Sequence, residues 1–230
     1  MKVKVCLHNH TLHSKSSINR VDDFRKAFEA GKIDKVAITD HDYIKYAQEM
    51  QAELGEDRII VGQEITTKEG DILGLFLKKF VSPGLSAERT CELIKAQGGV
   101  VYAPHILGEK GLKREVLDRI KDDIDVVEVY NGWRHRSIAK PFMSEKFNDR
   151  AKNWAHENGK AGVSATDCHY PTNIGNCHTI MEDFSDRDSF LKSLNSDVEL
   201  VKRKNKKNLL SVRTWVKSRL KRDFLSFIRG

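Results

Sequence analysis

Short β-rich runs alternate with longer amphipathic stretches from the start of the chain to about residue 165, and nothing else in the sequence restricts the fold as much. The runs Lys4–Leu7, Val36–Thr39, Ile59–Val61, Ile72–Phe76, Gly99–Ala103, Val126–Tyr130 and Gly162–Ala165 read as strands, being short and rich in β-branched residues. Between several of them, residues 22–31, 45–54, 86–97, 112–121 and 137–158 read as helices. The first has Val21, Phe24, Ala27 and Phe28 on one face, begins with acids and stops at Gly31. The third opens at Ser86 after the turn Ser82-Pro83-Gly84 and closes at Gly98-Gly99. Such alternation predicts an α/β fold with βα units and a mainly parallel sheet.

With 39% hydrophobic and 32% charged residues in 230, the composition suits one sizeable core. No apolar run reaches the roughly eighteen residues that a membrane span needs. The start of the chain passes straight into a strand-like segment without the pattern of a signal peptide, so a cytoplasmic protein is expected. Cys6, Cys91, Cys168 and Cys177 form no CxxC pair, which argues against a disulfide framework and a thiolate zinc site. They read as small buried apolar residues. The net charge of +7 is uneven: residues 202–230 hold eleven Lys/Arg against Asp223 alone, leaving the first 201 residues at −3. Two parts follow, a catalytic body over 1–201 and a basic tail over 202–230.

The positions of the ionisable residues carry the chemistry. His8 and His10 follow the first strand two apart, so an extended backbone points both to one side. Asp40 and His41 follow the second strand, Glu64 the third, and His105 the fifth; Glu128 lies in the sixth, and Asp167 and His169 follow the seventh. In a parallel barrel such strand ends share one rim, where active sites lie. Imidazoles combined with carboxylates favour zinc, manganese or iron over calcium or magnesium. Glu64 is suited to bridge two cations, and two metals close together can generate hydroxide near neutral pH and clamp a displacement at phosphorus. His13, His135, His156 and His178 fit the pattern less well.

In order, Leu7-His8-Asn9-His10-Thr11, Thr39-Asp40-His41-Asp42, Gly62-Gln63-Glu64, His105 and Asp167-Cys168-His169 resemble the PHP (polymerase and histidinol phosphatase) family. The resemblance runs from about residue 5 to about 180. It implies a distorted TIM-like barrel of about seven β/α units and two or three divalent metal ions. By the same resemblance the first metal takes His8, His10, Glu64 and Asp167. The second shares Glu64 and takes His105, with a further ligand near Glu128; the third takes His41 and His169. Asp40 is then a carboxylate that orients an imidazole. Members commonly carry Asp, and later Asp-Gly, where this chain has Cys6 and Lys15-Ser16. The third site is therefore left open: weak, completed by His13, or replaced by phosphate binding at Lys15.

The activity expected is hydrolysis of a phosphomonoester, a small phosphorylated metabolite or nucleotide, by a hydroxide held between the metals at Glu64. A protonated His41 or His169, or metal-bound water, would assist the leaving group. Lys15, Arg20, Arg134 and Asn131 are the substrate contacts expected on the rim. Two other readings stay open: a phosphodiesterase or exonuclease on nucleic acid, against which the body's −3 charge speaks, and a barrel that binds without turnover. In the tail, Leu209, Val212, Val216, Leu220, Phe224 and Ile228 recur at helical spacing among basic residues. This reads as a cationic amphipathic C-terminal helix that packs on the barrel, lies peripherally on an anionic membrane surface or meets nucleic acid.

Overall fold

The strand-like runs form the wall of a barrel. A computed structural model describes the backbone of residues 1–133 and 141–203, and side chains over the same range apart from 141–145. In chain order the elements are β1 (Lys2–Cys6), α1 (Val21–Glu29), β2 (Lys35–Ile38), α2 (Lys45–Leu54), β3 (Ile59–Thr66), β4 (Asp71–Leu75), α3 (Ala87–Ala96), β5 (Val100–Ala103), α4 (Arg114–Ile120), β6 (Val126–Asn131), α5 (Pro141–Glu157), β7 (Ala161–Ala165), β8 (His178–Glu182), α6 (Arg187–Leu194) and β9 (Glu199–Val201). The strands lie in the order β7-β6-β5-β4-β3-β2-β1-β8-β9. Beyond the strand ends a parallel bridge, Asn9↔Cys168, joins the β1 side to the β7 side, and His10 N donates to Cys168 O at 2.9 Å. The sheet thus curls into a nearly closed, distorted TIM-like barrel, as the sequence predicts.

Two expectations need correction. Among the described residues there are nine strands and six α-helices, where about seven β/α units were expected. The sheet is also only half parallel: β3/β4, β4/β5, β1/β8 and β8/β9 pair antiparallel. The reason is loop length. Between β3 and β4 a tight turn is closed by Thr67 N donating to Gly70 O at 3.1 Å, too short for a crossover helix, so β4 must run backwards. Gly70 has φ +141°, and a Cβ there would meet Leu112 N at 2.9 Å.

Alternation along the strands divides the core in two. Val3, Val5, Ala37, Ile60, Leu73, Leu75, Val100, Tyr102, Val126 and Val163 fill the lumen together with Phe184, Phe190 and Leu194. Phe24, Val36, Ile38, Met50, Ile94, Val101 and Trp154 belong to the layer between sheet and helices. Helix α3 begins where expected, with Ser86 Oγ accepting from Arg89 N at 3.2 Å. The first residues of the expected 137–158 helix, and the expected C-terminal helix over 208–228, lie outside the described residues.

Candidate metal centre

Strand ends place each imidazole and carboxylate. His8 and His10 follow β1, Asp40 and His41 follow β2, Glu64 is in β3, His105 follows β5, Glu128 and Asn131 are in β6, and Asp167 and His169 follow β7. All are buried except His41, which is half-buried. His105 and Asp167 have φ of +30° and +52°, a backbone region costly for side-chain-bearing residues.

Glu64 is the hub. Its Oε1 lies 3.0 Å from His105 Nε2, while Oε2 lies 2.9 Å from His41 Nδ1, 3.2 Å from His10 Nε2 and 3.5 Å from His8 Nε2. Asp167 Oδ1 is 3.2 Å from His10 Nε2, 3.4 Å from His169 Nδ1 and 3.6 Å from His8 Nε2. Three overlapping sets bring their donor atoms within 4.8 Å: His8, His10 and Asp167; His8, Glu64 and His105; His10, His41 and His169.

A layer beneath these groups sets their orientation. His8 Nδ1 faces Glu128 Oε1 at 3.1 Å. His10 Nδ1 faces Ser14 Oγ at 3.1 Å, and that hydroxyl donates to Asp40 Oδ1 at 2.6 Å. Asp40 also accepts from Thr11 N at 2.7 Å and Thr11 Oγ1 at 2.5 Å. With the proton on Nδ1 in both rings, as these partners require, two Nε2 lone pairs face each other 3.1 Å apart. Glu64 Oε2 is buried with no aligned hydrogen bond despite the three nitrogens around it, and His105 Nδ1 is buried and unpaired. Opposed lone pairs and an orphaned carboxylate oxygen are costly in a buried site unless a cation lies among them. The donors therefore fit divalent metal ions of the zinc, manganese or iron kind.

The electrostatics show the same demand for positive charge. Burial pulls His8 down, yet Asp167, Glu128 and Glu64 outweigh it and hold the imidazole well above its ordinary value. His41 is raised in the same way against burial, chiefly by Glu64. Burial, aided by His169, pushes His10 down to about 3. Burial opposes ionisation of Glu64 and Asp167, but His41 and His8 hold the first, and His8 and His10 the second, well below the usual carboxylate range.

Several expectations change here. Glu128 is not in the three donor sets; it accepts from His8, from Tyr102 OH at 3.1 Å, from His105 N at 2.7 Å and from Asn131 Nδ2 at 2.9 Å. It steadies ligands from behind. Asn131, expected to touch substrate, is fully buried and bridges Glu128 to Asp167 Oδ2 at 3.1 Å. His13 stacks on Tyr43 and Tyr46, with centroids at 5.0 and 4.3 Å, outside the donor sets. Lys15 and Arg20 are exposed, and Arg20 stands at the start of α1. Arg134 lies outside the described residues.

Asp71 was not foreseen. It opens β4 opposite Thr66, two residues along from Glu64 and Leu73, so all these side chains share the lumen face. It is 4% exposed, Oδ2 has no partner, and burial together with Glu64 raises its carboxyl to about 6. The chain also leaves the described barrel on the metal rim. Strand β9 runs parallel to β1, Val201 pairs with His178, Cys177 Sγ lies 3.2 Å from Arg203 O, and Lys202 Nζ sits 5.6 Å from the Tyr130 ring centre. Among the described residues no helix is long and apolar enough to cross a membrane.

Comparison with known proteins agrees with this architecture. The PHP-associated family matches residues 145–198. An uncharacterised protein of Methanocaldococcus jannaschii is 37% identical over 158 residues, covering 63% of this chain and 91% of the relative. Among solved structures, a two-domain protein of Bacteroides vulgatus containing a predicted PHP-like metal-dependent phosphoesterase superposes with a TM-score of 0.67 at 16% identity, over 88% of this chain and 65% of that one. Endonuclease Q, bound to a 27-mer duplex with an abasic lesion at its active site, gives 0.61 at 14% identity, over 87% and 58%. The chain thus spans less than two thirds of either protein, and at these identities the likeness is one of fold. The fold and the donor cluster together define a PHP-like metal-dependent phosphoesterase barrel. The chain belongs to the PHP family.

Proposed function

We propose that the chain is a metal-dependent phosphatase that hydrolyses small phosphomonoesters. The observation that carries this is the pair of opposed Nε2 lone pairs of His8 and His10 beside the orphaned Oε2 of Glu64. His8, His10, Glu64 and Asp167 would hold one divalent ion, and Glu64 and His105, with Asp71 as a further donor, a second. His10, His41 and His169 are the donors for a third. When bound, such ions lower the pKa of water toward neutrality and offset charge on phosphoryl oxygens.

The chain's own groups do the rest. Glu128 and Ser14 keep the Nε2 atoms of His8 and His10 aimed inward, and Asp40 acts on His10 through Ser14. With two ions bound, His41, half-exposed and raised by Glu64, is placed to hold a proton for the leaving oxygen. The first 201 residues carry a net −3, which suits a small substrate better than a tracked polyanion.

One observation favours a second reading, a nuclease: the chain turns into its basic segment on the metal rim, beside Tyr130 and Cys177. Endonuclease Q shows that this fold can work on DNA. The test supplies manganese, zinc or iron and compares phosphate release from nucleotides and sugar phosphates with degradation of single-stranded DNA. Phosphate release that Glu64→Ala abolishes is expected. Full activity in that variant overturns the site, and DNA degradation without phosphate release transfers the reading to a nuclease.

A further inference from the structure

The loop that presents His105 also presents a cation with no protein partner. From Pro104 to Leu112 the chain leaves β5 and returns beside the start of β4. It is pinned along its length: His105 N donates to Glu128 Oε2 at 2.7 Å, Leu107 N to Leu112 O at 3.0 Å, Asp71 N to Lys110 O at 3.0 Å and Lys113 Nζ to Gly108 O at 2.7 Å. His105 and Leu107 hold φ of +30° and +59°. A Cβ on Gly111 would fall 2.1 Å from His105 O, so only glycine lets the loop close this tightly.

This path puts the Lys110 backbone against Asp71, at the rim end of the lumen face that carries Glu64. The Lys110 side chain is exposed, and among the described residues no carboxylate lies within 4.0 Å of its ammonium. Lys113, three residues on, is by contrast consumed by a loop carbonyl. The charge of Lys110 acts on His41 and on Asp71, groups joined through Glu64 between them. Lys15 does not figure among the strongest influences on any imidazole or carboxylate of the centre.

We infer that Lys110 anchors the substrate's phosphoryl group, its ammonium donating to a nonbridging oxygen of a phosphate held over Glu64. Asp71 and the pinned loop fix the backbone, so the lysine loses less freedom on binding than a residue of an open loop would. The contact forms and breaks no covalent bond. It uses the fully protonated, point-charge character of lysine, which suits a phosphate approaching from solvent. The inference rests on the phosphoesterase reading, and it gives the phosphate contact to Lys110 rather than to Lys15, Arg20 or Asn131.

Inorganic phosphate is the probe, titrated calorimetrically into the full chain as purified with its metals, with metal content measured in each variant. Lys110→Ala should weaken phosphate binding roughly tenfold to a hundredfold. Lys110→Arg should restore it to within a few-fold, and Lys15→Ala should leave it unchanged. On a phosphomonoester, Lys110→Ala should raise KM in step with the lost phosphate affinity and change kcat less. Unchanged phosphate affinity in Lys110→Ala overturns the inference, as does a loss that follows a fall in metal content. Lys110-dependent phosphate binding without hydrolysis of any ester would instead defeat the phosphatase reading and leave the anchor standing.

Discussion

The two ends of the barrel both bury charge and treat it in opposite ways. At the floor, where the parallel strands begin, Lys35 is 8% exposed yet fully provided for: Nζ reaches Asp57 O at 2.6 Å and Asp183 Oδ1 at 3.1 Å, and lies 5.2 Å from the Phe184 ring centre. Around it Phe76, Phe184 and Phe190 pack ring on ring at 5.0 to 6.4 Å. At the rim, Glu64 and Asp71 each keep a buried oxygen with no donor, and His105 keeps a buried nitrogen. Folding alone favours the first arrangement and works against the second. The comparison teaches that the floor is built for stability, while the rim holds unsatisfied polar groups ready for ligands the protein chain does not supply.

The comparison can be broken first at the floor. Phe190 is wholly buried in the lumen plug, and Phe190→Ala should cost about 3–5 kcal/mol through lost burial and the cavity left behind. Calorimetry should find this loss in metal-free and metal-loaded protein alike, with metal stoichiometry unchanged below the melting range. A loss confined to the metal-loaded form would mean that the two ends are not separate.

At the rim the sign should depend on pH and on metal. The Asp71 carboxyl is raised from its ordinary 3.8 to about 6. A carboxyl raised by folding is harmless below the unfolded value and costs stability as pH climbs through the folded one. At about pH 8 that cost is about 3 kcal/mol, and at about pH 4 nearly none. Asp71→Asn should therefore raise the melting temperature of metal-free protein at the higher pH and leave it nearly unchanged at the lower. With metal bound the gain should shrink or reverse, because the carboxylate then has its cation. Equal gains at both pH values would show that ionisation is not the cause.

Why Asp71 escaped the sequence reading is itself physical. His8, His10, His41, His105, Asp167 and His169 were legible because they follow runs taken as parallel strands, whose C-terminal ends share a rim. Strand β4 runs the other way, so its contribution to that rim comes from its first residue. The short link Lys68-Glu69-Gly70 was the available signal: it leaves no room for a helix, and alternation through Asp71, Leu73 and Leu75 then puts the acid on the lumen face. Reversal also hid β8, and α6 was missed with the floor that it plugs. The barrel itself was readable because burial on both faces writes β2 and β5 as unbroken apolar runs. The roles of Glu128 and Asn131 were not, since a buried carboxylate that binds metal and one that holds a ligand's far side look alike until their donors are known.

The smallest effect expected tests the relay beneath the rim. Ser14 Oγ accepts from His10 Nδ1 and from His41 N at 3.1 Å each and donates to Asp40 Oδ1, so one hydroxyl ties two candidate ligands to one carboxylate. Ser14→Ala removes no donor from the three metal-binding sets, yet it releases the Nδ1 proton that commits His10 Nε2 to the centre. Loss of such support typically weakens metal binding about tenfold to a hundredfold. Competition with a chelator should show that loss, while the metal-free protein melts close to the wild type. Asp40→Asn should act in the same direction, because an amide turned to donate toward Ser14 competes with His10 for the same oxygen. If Ser14→Ala binds metal as tightly as the wild type, His10 is held by its position after β1 alone, and the rim is less dependent on its underlying layer than the hydrogen bonds indicate.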